Sequence, residues 1–334
     1  MTVTQPLTSI EICAGAGGMA LGLEQAGFRH IATFDNDAKT HQTLLINRPH
    51  WNPKLQDVRL LNGVDYADVD LFAGGVPCPP FSIAGQQKGH NDERDLFPDA
   101  LRLIQQIRPK SILLENVRGF SSKKFTDYRS YLASELQTLG MVTQWKILNA
   151  SDYGVPQLRP RFLLVALQKE YVPFFEWPVP IPNPPTVSDT IGELMGVNGW
   201  LGLEAWLQKA NAIAPTIVGG SKKHGGADLG PTRAKQKWLE LGVDGKGIAN
   251  DPPSADAPVD LLPRLTLRMV ARLQNFPDSW EFVGGKTAQY RQIGNALPPA
   301  VAFYVGGAIA HALNKMSVRQ PSPKQLELLT ADVA

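Results

Sequence analysis

The chain of 334 residues has few cysteines, little excess charge and no long apolar run. With only Cys13 and Cys78, a disulfide framework is excluded and a reducing compartment is favoured. The N-terminus, Met1 to Pro6, lacks the basic start and apolar core of a signal peptide. No apolar stretch approaches the length that spans a bilayer. We therefore expect a cytoplasmic protein without a membrane partner.

The charge balance is almost even, and the composition supports a large core. The formal net charge is +2, which points only weakly to nucleic acid because an average says little about surface patches. A hydrophobic content of 43% over this length predicts one large domain or two unequal ones.

The N-terminal stretch predicts the opening of a nucleotide-binding βαβ unit. A strand over residues 9–13 runs into Ala14-Gly15-Ala16-Gly17-Gly18, and a helix over 19–26 is closed by Gly27. A second strand, 30–34, ends at Asp35, about twenty residues after the turn, where such folds place a carboxylate on ribose hydroxyls. The alternative is an ordinary tight turn. The glycine spacing does not match the dinucleotide fingerprint, which disfavours a nicotinamide dehydrogenase.

A cysteine between prolines follows a short apolar strand at residues 69–73. The run is Gly74-Gly75-Val76-Pro77-Cys78-Pro79-Pro80-Phe81-Ser82. Each proline fixes its own φ and biases the preceding residue away from helix, so the thiol sits on a stiff, extended segment. Taken alone, the run fits a rigid turn with an inert thiol as well as it fits a nucleophile. The polar, glycine-containing residues 83–94 predict a long loop of the kind that is often functional.

Periodicity predicts the remaining elements of the first domain. Asp37 is expected to cap a helix through Asn47, and a helix over 97–107 is ended by Pro109. Glu115-Asn116-Val117 follows the strand 111–114, at the end where open α/β sheets bind ligands. A helical stripe over 125–139 is closed by Gly140. Residues 143–148 and 162–167 are predicted as two edge strands, which could form an antiparallel hairpin.

A proline-rich connector after about residue 172 predicts a second domain. Residues 186–263 are rich in Gly, Pro and turn residues, and they carry a basic cluster before Trp238. That cluster is either a solvated face or a contact to phosphates, and the glycines among the cations favour nucleic acid. A helix is expected to end near Asn275. Residues 292–299 are expected to open a last helix, which is apolar enough to return to the first core.

Six motifs in this order resemble the S-adenosylmethionine-dependent cytosine-5 DNA methyltransferases. They are Ala14-Gly15-Ala16-Gly17-Gly18, Pro77-Cys78-Pro79-Pro80-Phe81-Ser82, Glu115-Asn116-Val117, Gln157-x-Arg159-x-Arg161, Arg264-Leu265-Thr266 with Arg272 to Asp278, and Gln292-x-Gly294-Asn295. The resemblance spans the chain except for about 173–260, where the family has its variable target recognition domain.

The resemblance implies an α/β fold with a Rossmann-like mixed sheet, helices on both faces, and a smaller irregular domain. It implies a catalytic domain over 1–172 completed by 288–316, a target recognition domain over 173–287, and a flexible tail over 317–334. The expected partner is double-stranded DNA, the expected state is a monomer, and a cognate restriction endonuclease would act independently.

The resemblance also implies a mechanism. Cys78 would add to C6 of a flipped-out cytosine, because C5 is a poor nucleophile until C6 is attacked. Glu115, with a raised pKa, would stabilise the charge that develops at N3. Arg159 would brace the base's carbonyl oxygen and the Glu115 region, with Arg161 supporting and Asn116 keeping the loop in shape.

Further residues are carried over for the cofactor and for DNA. Glu11 would serve the amino-acid end of S-adenosyl-L-methionine, whose product is S-adenosyl-L-homocysteine. The other cofactor candidates are Cys13, Ala14, Gly15, Gly17, Gly18, Asp35, Asn36, Asp57, Val58, Pro77, Asn295 and Ala296. The DNA candidates are Ser82, Ala84, Gln86, Lys88, Arg94, Thr216, Lys222, Lys223, His224 and Arg233.

Three departures and three alternatives remain open at this point. The family usually has Phe where Cys13 stands, commonly has Asp where Glu11 stands, and often has a polar residue at Pro79. Asp57 could be a solvated loop acid instead of an adenine contact. The same chemistry on RNA and a non-catalytic DNA-binding relative are the alternatives to DNA methylation, and the intact Cys78, Glu115 and Arg159 argue against the second.

Overall fold

A computed structural model describes residues 6–77, 95–220 and 226–314, which divide into two compact units. The first unit takes in the described residues up to Leu148, then Pro160–Pro178, then those from Ala302 onward. The second takes in Asn149–Arg159 and Val179–Val301. The predicted catalytic and target recognition roles of these regions stay predictions.

The first unit is built on a seven-stranded mixed sheet, as predicted. The strands are β1 Leu7–Ile12, β2 Phe28–Asp35, β3 Pro53–Leu55, β4 Leu71–Gly74, β5 Ser111–Val117, β6 Met141–Asn149 and β8 Pro160–Gln168. Their order in the sheet is β3-β2-β1-β4-β5-β8-β6. Strands β1 to β5 run parallel, and β8 pairs antiparallel with β5.

Alternation along β1 places helices on both faces of this sheet. Ile10 and Ile12 belong to a buried cluster that includes residues of α3 (Phe97–Ile107) and α4 (Thr126–Thr138). Because successive side chains of a strand point to opposite faces, Ser9 and Glu11 point away from that cluster. On this second face, His30 of β2 hydrogen-bonds Ser9 and the carbonyl of Ala20 in α1 (Gly18–Gln25).

Helix boundaries in the first unit follow local chemistry. Asp37 caps α2 (Ala38–Asn47) by accepting hydrogen bonds from Lys39 N at 2.9 Å and Thr40 N at 3.2 Å, as predicted. Helix α1 is followed by Gly27 at φ 96°, and α4 by Gly140 at φ 79°. These are left-handed conformations that glycine adopts at little cost.

The second unit holds more regular structure than the sequence predicted. Three helices, whose ranges are given below, lie in the region that the sequence described as rich in Gly, Pro and turn residues. Thr186 and Asp189 form a capping box at the start of α5. The elements are α5 Val187–Gly196, α6 Leu203–Lys209, α7 Thr232–Glu240, α8 Leu267–Leu273, α9 Lys286–Asn295 and a two-stranded sheet of β7 Gln157–Leu158 with β9 Ala214–Pro215.

The end of the described chain forms two helices where one was predicted to open at residues 292–299. Residues 292–295 close α9, Ala296 is extended at φ −62° and ψ 145°, and α10 runs from Pro299 to Leu313. From Ala302, α10 belongs to the first unit, as its apolar character predicted. Lys286–Leu313 is long and apolar enough to cross a membrane, but 72% of its apolar window is buried inside the protein, as in a core helix.

Candidate active site

Strands β1, β2, β4 and β5 end side by side at one edge of the sheet in the first unit. Each strand carries predicted site residues at its carboxyl end. They are Glu11 and Cys13 on and after β1, Asp35 on β2, Pro77 after β4, and Glu115 and Asn116 on β5. The fold therefore gathers most cofactor and catalytic candidates of the first unit at the edge where such sheets bind ligands.

Glu115 forms an ion pair with Arg161, the second residue of β8. Arg161 Nε lies 2.9 Å from Glu115 Oε1, and the side chains are 12% and 13% exposed. Val117 pairs with Arg161 in the antiparallel register, which brings the start of β8 to the end of β5. Burial lowers the pKa of the Arg161 guanidinium from its ordinary value, and the Glu115 carboxylate opposes that shift. Among the described residues, Arg161 is thus a cationic partner of Glu115.

The chain that leads to Cys78 is held by β5. Asn116 Nδ2 donates to the carbonyl of Val76 at 2.9 Å, and Asn116 Oδ1 accepts from Val117 N at 2.8 Å. A Cβ on Gly75 would lie 3.5 Å from Glu115 Oε2, so the backbone there is close to the carboxylate. Cys78 itself lies outside the described residues.

Three residues of the glycine turn after β1 have left-handed backbone conformations. Cys13 has φ 52°, Gly15 φ 56° and Gly17 φ 84°, all in the left-handed region. Ala14 N donates to the carbonyl of Phe34 at 3.0 Å, and Gly17 N donates to that of Ala14 at 3.0 Å. For Cys13, a residue with a Cβ, this conformation is uncommon and strained.

Asp35 fixes this turn. Its Oδ2 accepts from Gly15 N at 2.9 Å, and its Oδ1 accepts from Asp37 N at 2.8 Å. The carboxylate that is expected to bind ribose hydroxyls therefore lies at the glycine turn. The neighbouring candidate Asn36 is exposed.

Asp57, the predicted adenine contact, is engaged by a neighbour. Arg59 binds its carboxylate through Nε at 3.0 and 3.1 Å and through a terminal nitrogen at 2.5 Å. The Asp57 pKa is lowered, chiefly by the hydrogen bonds from Arg59. The next candidate, Val58, is buried at the start of a short 3₁₀ turn.

Two buried oxygen atoms beside the glycine turn have no hydrogen-bond partner in the described part of the chain. They are Oε2 of Glu11 and Oγ1 of Thr33. Buried polar atoms are nearly always satisfied, so an orphaned pair at the ligand-binding edge fits a site for a polar ligand group. The residues around the turn therefore fit a cofactor that carries hydrogen-bond donors.

Cys13 beside this turn is suited to a wall position and not to nucleophilic chemistry. Burial, reinforced first by Asp35 and then by Glu11 and further carboxylates, raises the pKa of its thiol. The thiolate is the reactive form, so the raised pKa disfavours a nucleophilic role for this thiol.

In the second unit Arg159 is fully buried and joins three separate chain segments. Its guanidinium donates to the carbonyls of Ile217 at 2.6 Å, Gly294 at 2.6 Å and Ala296 at 2.9 Å. We call this set of contacts around Arg159 the Arg159 hub. Gln157 belongs to it, since its Oε1 accepts from Ile217 N at 2.8 Å. These contacts give Arg159 a bridging role within the second unit. The expectation that it also braces the base and the Glu115 region stays a prediction.

Asn295 and Ala296, the last cofactor candidates, lie next to this hub. Asn295 Nδ2 donates to the carbonyl of Gly220 at 3.1 Å. A Cβ on Gly294 would lie 2.6 Å from Gly219 Cα, closer than real Cβ contacts allow. Two glycines are thus required for the backbone of residues 217–220 to approach the end of α9.

Two DNA candidates fall on the described part of the second unit. Thr216 Oγ1 donates to the carbonyl of Leu158 at 2.6 Å. Arg233 is exposed on the first turn of α7 and forms no ion pair with any other described residue, whereas Lys235 is paired with Asp228 at 2.9 Å. The other DNA candidates lie outside the described residues: Ser82, Ala84, Gln86, Lys88, Arg94, Lys222, Lys223 and His224.

The sequence reasoning missed Thr33 at this edge, and it could not name the residue that Gly74 approaches. Thr33 stands directly opposite Glu11 in the β1–β2 register, which no local pattern reveals. Gly74 is required where β4 meets β1, because a Cβ there would lie 2.7 Å from Ile12 Cγ1 and 2.9 Å from its carbonyl oxygen. The paired glycines after β4 were a sequence signal for such an approach.

The sheet order and the site at its carboxyl edge define the fold of the S-adenosylmethionine-dependent methyltransferases. The family model described as C-5 cytosine-specific DNA methylase matches residues 7–311. The chain belongs to this family and is a DNA methyltransferase.

Two similar relatives are Type II methyltransferases. The chain is 52% identical to M.NaeI of Lentzea aerocolonigenes, with 93% of this chain and 76% of the relative covered. It is 51% identical to M.NgoMIV of Neisseria gonorrhoeae, with 92% and 98% covered. Because more than nine-tenths of this chain is covered in each case, both alignments include the second unit.

Solved structures show the same fold. A DNA modification methyltransferase encoded within an E. coli prophage superposes with a TM-score of 0.66 at 23% identity, covering 92% of this chain and 99% of that one. The S. pombe Dnmt2 methyltransferase gives 0.63 at 20% identity, with 92% and 99% covered.

Proposed function

We propose that this protein transfers a methyl group from S-adenosyl-L-methionine to C5 of a cytosine within a specific double-stranded DNA sequence. The observation that carries the proposal is the arrangement at the end of β5. There Glu115 pairs with Arg161, and Asn116 binds the carbonyl of Val76, two residues before Cys78. These contacts support the proposal because they hold Glu115, the proposed acid, close to the backbone that leads to Cys78, the proposed nucleophile.

The chemistry of cytosine explains the choice of residues. The Cys78 thiolate forms a bond from sulfur to C6 as the C5=C6 π bond breaks, which moves electron density towards N3 and makes C5 nucleophilic. Glu115, as the carboxylic acid, hydrogen-bonds N3 and stabilises the density that gathers there. After C5 has accepted the methyl group, the C5 proton passes to solvent water, the C5–H electron pair re-forms the C5=C6 double bond, and the S–C6 bond breaks to release the Cys78 thiolate. Arg161 holds the Glu115 carboxyl in place throughout.

The cofactor would be held by residues of the first-unit edge. S-adenosyl-L-methionine supplies an electrophilic methyl group on a sulfonium. Asp35, whose carboxylate lies at the glycine turn, would accept from ribose hydroxyls, and Glu11 has a buried oxygen without a described partner. Asp57 would reach the adenine amino group once Arg59 shares its carboxylate.

DNA recognition is proposed for the second unit, with the base flipped out because C6 cannot be reached inside a duplex. Arg233 supports this role as an exposed cation without an ion pair to any described residue. The Type II relatives support membership in a restriction-modification system, in which the cognate endonuclease would act independently. A monomer in the cytoplasm is also proposed.

A covalent trap tests the mechanism. A DNA duplex containing 5-fluorocytosine, incubated with S-adenosyl-L-methionine, should give a denaturation-resistant adduct, since fluorine at C5 blocks release of the cysteine. Cys78→Ala should abolish the adduct, and Cys13→Ala is the matched control that should retain it. Absence of an adduct with every duplex and RNA offered would contradict the proposal.

Expression in a host without cytosine methylation tests the substrate and its sequence together. We expect 5-methylcytosine in genomic DNA at a single recurring motif. Methylation confined to RNA would replace DNA as the substrate.

A further inference from the structure

An aromatic cluster joins three segments of the first unit that flank the proposed catalytic residues. Phe97 and Phe120 stack with ring centroids 5.2 Å apart, and Phe162 meets Phe120 edge to face at 5.0 Å. Tyr128 of α4 meets Phe97 at 5.9 Å and Phe120 at 6.1 Å, each edge to face. Phe97 begins α3, Phe120 follows the end of β5, and Phe162 lies on β8. The cluster therefore ties together the start of α3, the end of β5 and the start of β8.

Tyr128 carries a hydroxyl that packing in this cluster does not need. Its Oη donates to Asp95 Oδ2 at 2.5 Å, and Asp95 Oδ1 accepts from Phe97 N at 3.1 Å. Tyr128 and Asp95 are both buried, each 8% exposed. A buried carboxyl group is costly unless its oxygens are hydrogen-bonded, so these two contacts hold Asp95 in one orientation. A phenylalanine would fill the same ring position without this contact.

The turn that Asp95 fixes lies against the backbone just before Cys78. Leu96 N donates to the carbonyl of Pro77 at 3.5 Å. A hydrogen bond of this length is weak. The two groups therefore stay within reach because the residues on either side of Leu96, Asp95 and Phe97, are held by the contacts of the Asp95 carboxyl.

Two consecutive carbonyls before Cys78 are thus bound by different elements. Asn116 of β5 binds the carbonyl of Val76 at 2.9 Å, and the residue before α3 binds that of Pro77. A nucleophile must be placed closely, since a misplacement of about 1 Å can cost about 100-fold in rate. The contacts at Val76 and Pro77 limit where the backbone can present Cys78.

We propose that Tyr128 is a positioning residue for methyl transfer. Its hydroxyl fixes Asp95, and through Asp95 the hydrogen bond to the Pro77 carbonyl and the backbone that leads to Cys78. Tyr128 takes no part in the bond changes. This inference rests on the proposed function, in which Cys78 is the nucleophile.

Tyr128→Phe removes the hydroxyl and keeps the ring. Adduct formation on the 5-fluorocytosine duplex that traps wild-type protein should slow about tenfold at saturating DNA. The DNA concentration that gives half the maximal rate and the Kd of S-adenosyl-L-homocysteine should stay within about twofold, because the contact acts on the step at the base. Tyr131→Phe is the matched control, since Tyr131 is exposed about one turn further along α4 and should react like wild type.

Three results of this experiment would overturn the proposal. The first is a rate of Tyr128→Phe within about twofold of wild type. The second is an equal loss of cofactor affinity, which would indicate a general disturbance. The third is failure of Tyr128→Phe to fold, which would show that the hydroxyl serves the core as a whole.

A double-mutant cycle tests the route through Asp95. Asp95→Ala removes the acceptor of the Tyr128 hydroxyl, so adding Tyr128→Phe to it should slow adduct formation no further. Additive losses from the two substitutions would mean that Tyr128 acts by another route, and would overturn the proposal.

Hydrogen exchange measures the anchor without DNA. The amides of Leu96 and Phe97 should exchange about fivefold to tenfold faster in Tyr128→Phe, because one hydrogen bond that holds this turn is lost. The amide of Ser111, which is bonded to the carbonyl of Asp70 at 2.9 Å where β5 begins, should exchange at the wild-type rate. Equal exchange of Leu96 in both proteins would overturn the proposal.

The outcomes distinguish this inference from the proposed function. Unchanged exchange and an unchanged adduct rate in Tyr128→Phe overturn the role of Tyr128 and leave the enzyme assignment intact. Failure of wild-type protein to form an adduct with any duplex or RNA overturns the proposed function, and the positioning role with it.

Discussion

Arg161 Nε lies 2.9 Å from Glu115 Oε1, and this pair joins the start of β8 to the end of β5. Because Glu115 is the proposed acid at N3, Glu115→Gln should slow adduct formation on 5-fluorocytosine DNA by about 100-fold or more. Binding of S-adenosyl-L-homocysteine should change less than about twofold, since only the step at the base uses this group.

Arg161→Lys tests whether the geometry of the pair matters beyond its charge. A lysine keeps the positive charge but lacks the planar fork, so we expect roughly tenfold slower adduct formation. Arg264→Lys is the matched control, because Arg264 also pairs with a carboxylate, Asp244 at 2.8 Å, but is 48% exposed. Equal losses in both variants would contradict a specific role for the Arg161 pair.

The Arg159 hub predicts a large stability effect within the second unit. Arg159→Ala leaves the buried carbonyls of Ile217 and Gly294 without their donor, which should lower the free energy of unfolding by about 3–5 kcal/mol. Urea unfolding measures this change. Arg264→Ala, which removes an exposed pair, should cost less than about 1 kcal/mol. Similar costs for the two variants would mean that the carbonyl contacts contribute little.

Gly294 lies so close to Gly219 that even the methyl group of an alanine at position 294 would clash. Gly294→Ala would put a Cβ 2.6 Å from both Gly219 Cα and N, and overpacking of this kind costs about 1–3 kcal/mol. Gly307→Ala is the control, because a Cβ there meets nothing within 4 Å and alanine favours a helix by about 1 kcal/mol. The first variant should melt at a lower temperature and the second at an equal or higher one.

His30 predicts a loss of stability in mild acid. Its ring is bound to Ser9 Oγ and to the Ala20 carbonyl and packs on Trp51, and burial lowers its pKa from 6.5 to about 4, with Glu24 opposing the shift and His50 adding to it. Between these values the unfolded chain binds a proton that the folded chain does not. Stability is therefore full above pH 6.5 and should fall by about 3 kcal/mol as the pH approaches 4.

A titration of the His30 ring by NMR and pH-dependent urea unfolding measure this effect. His30→Gln should remove that share of the pH dependence, whereas His41→Gln should leave the profile like wild type. A His30 pKa near 6.5 in the folded protein would contradict the prediction.

Elements whose signals are local could be predicted from the sequence. The Asp37 cap, the glycine that follows α1 and the turn after β1 depend on residues within one or two turns of chain, and each prediction was confirmed. The mixed sheet followed from the order of motifs. Helix α5 also had a local signal, the Thr186 and Asp189 capping box, which the high glycine and proline content of its surroundings obscured.

Contacts set by register and by distant segments could not be predicted. The pairing of Glu11 with Thr33 depends on how β1 lies against β2, including a register shift after Ser9. The acceptors of Arg159 lie 58, 135 and 137 residues away along the chain. A short arginine motif carries no information about which carbonyls will surround it.

The path of the chain between the two units limits how specificity could be exchanged among these enzymes. Recombination that swapped only Val179–Val301 would bring in the carbonyls of Ile217 and Gly294 but leave behind Asn149–Arg159, which supplies the arginine that binds them. A functional chimaera must therefore inherit both inserts together or find a matching arginine in the recipient. The target recognition role of the second unit is a prediction, and under it the two pieces Asn149–Arg159 and Val179–Val301 have to be transplanted together.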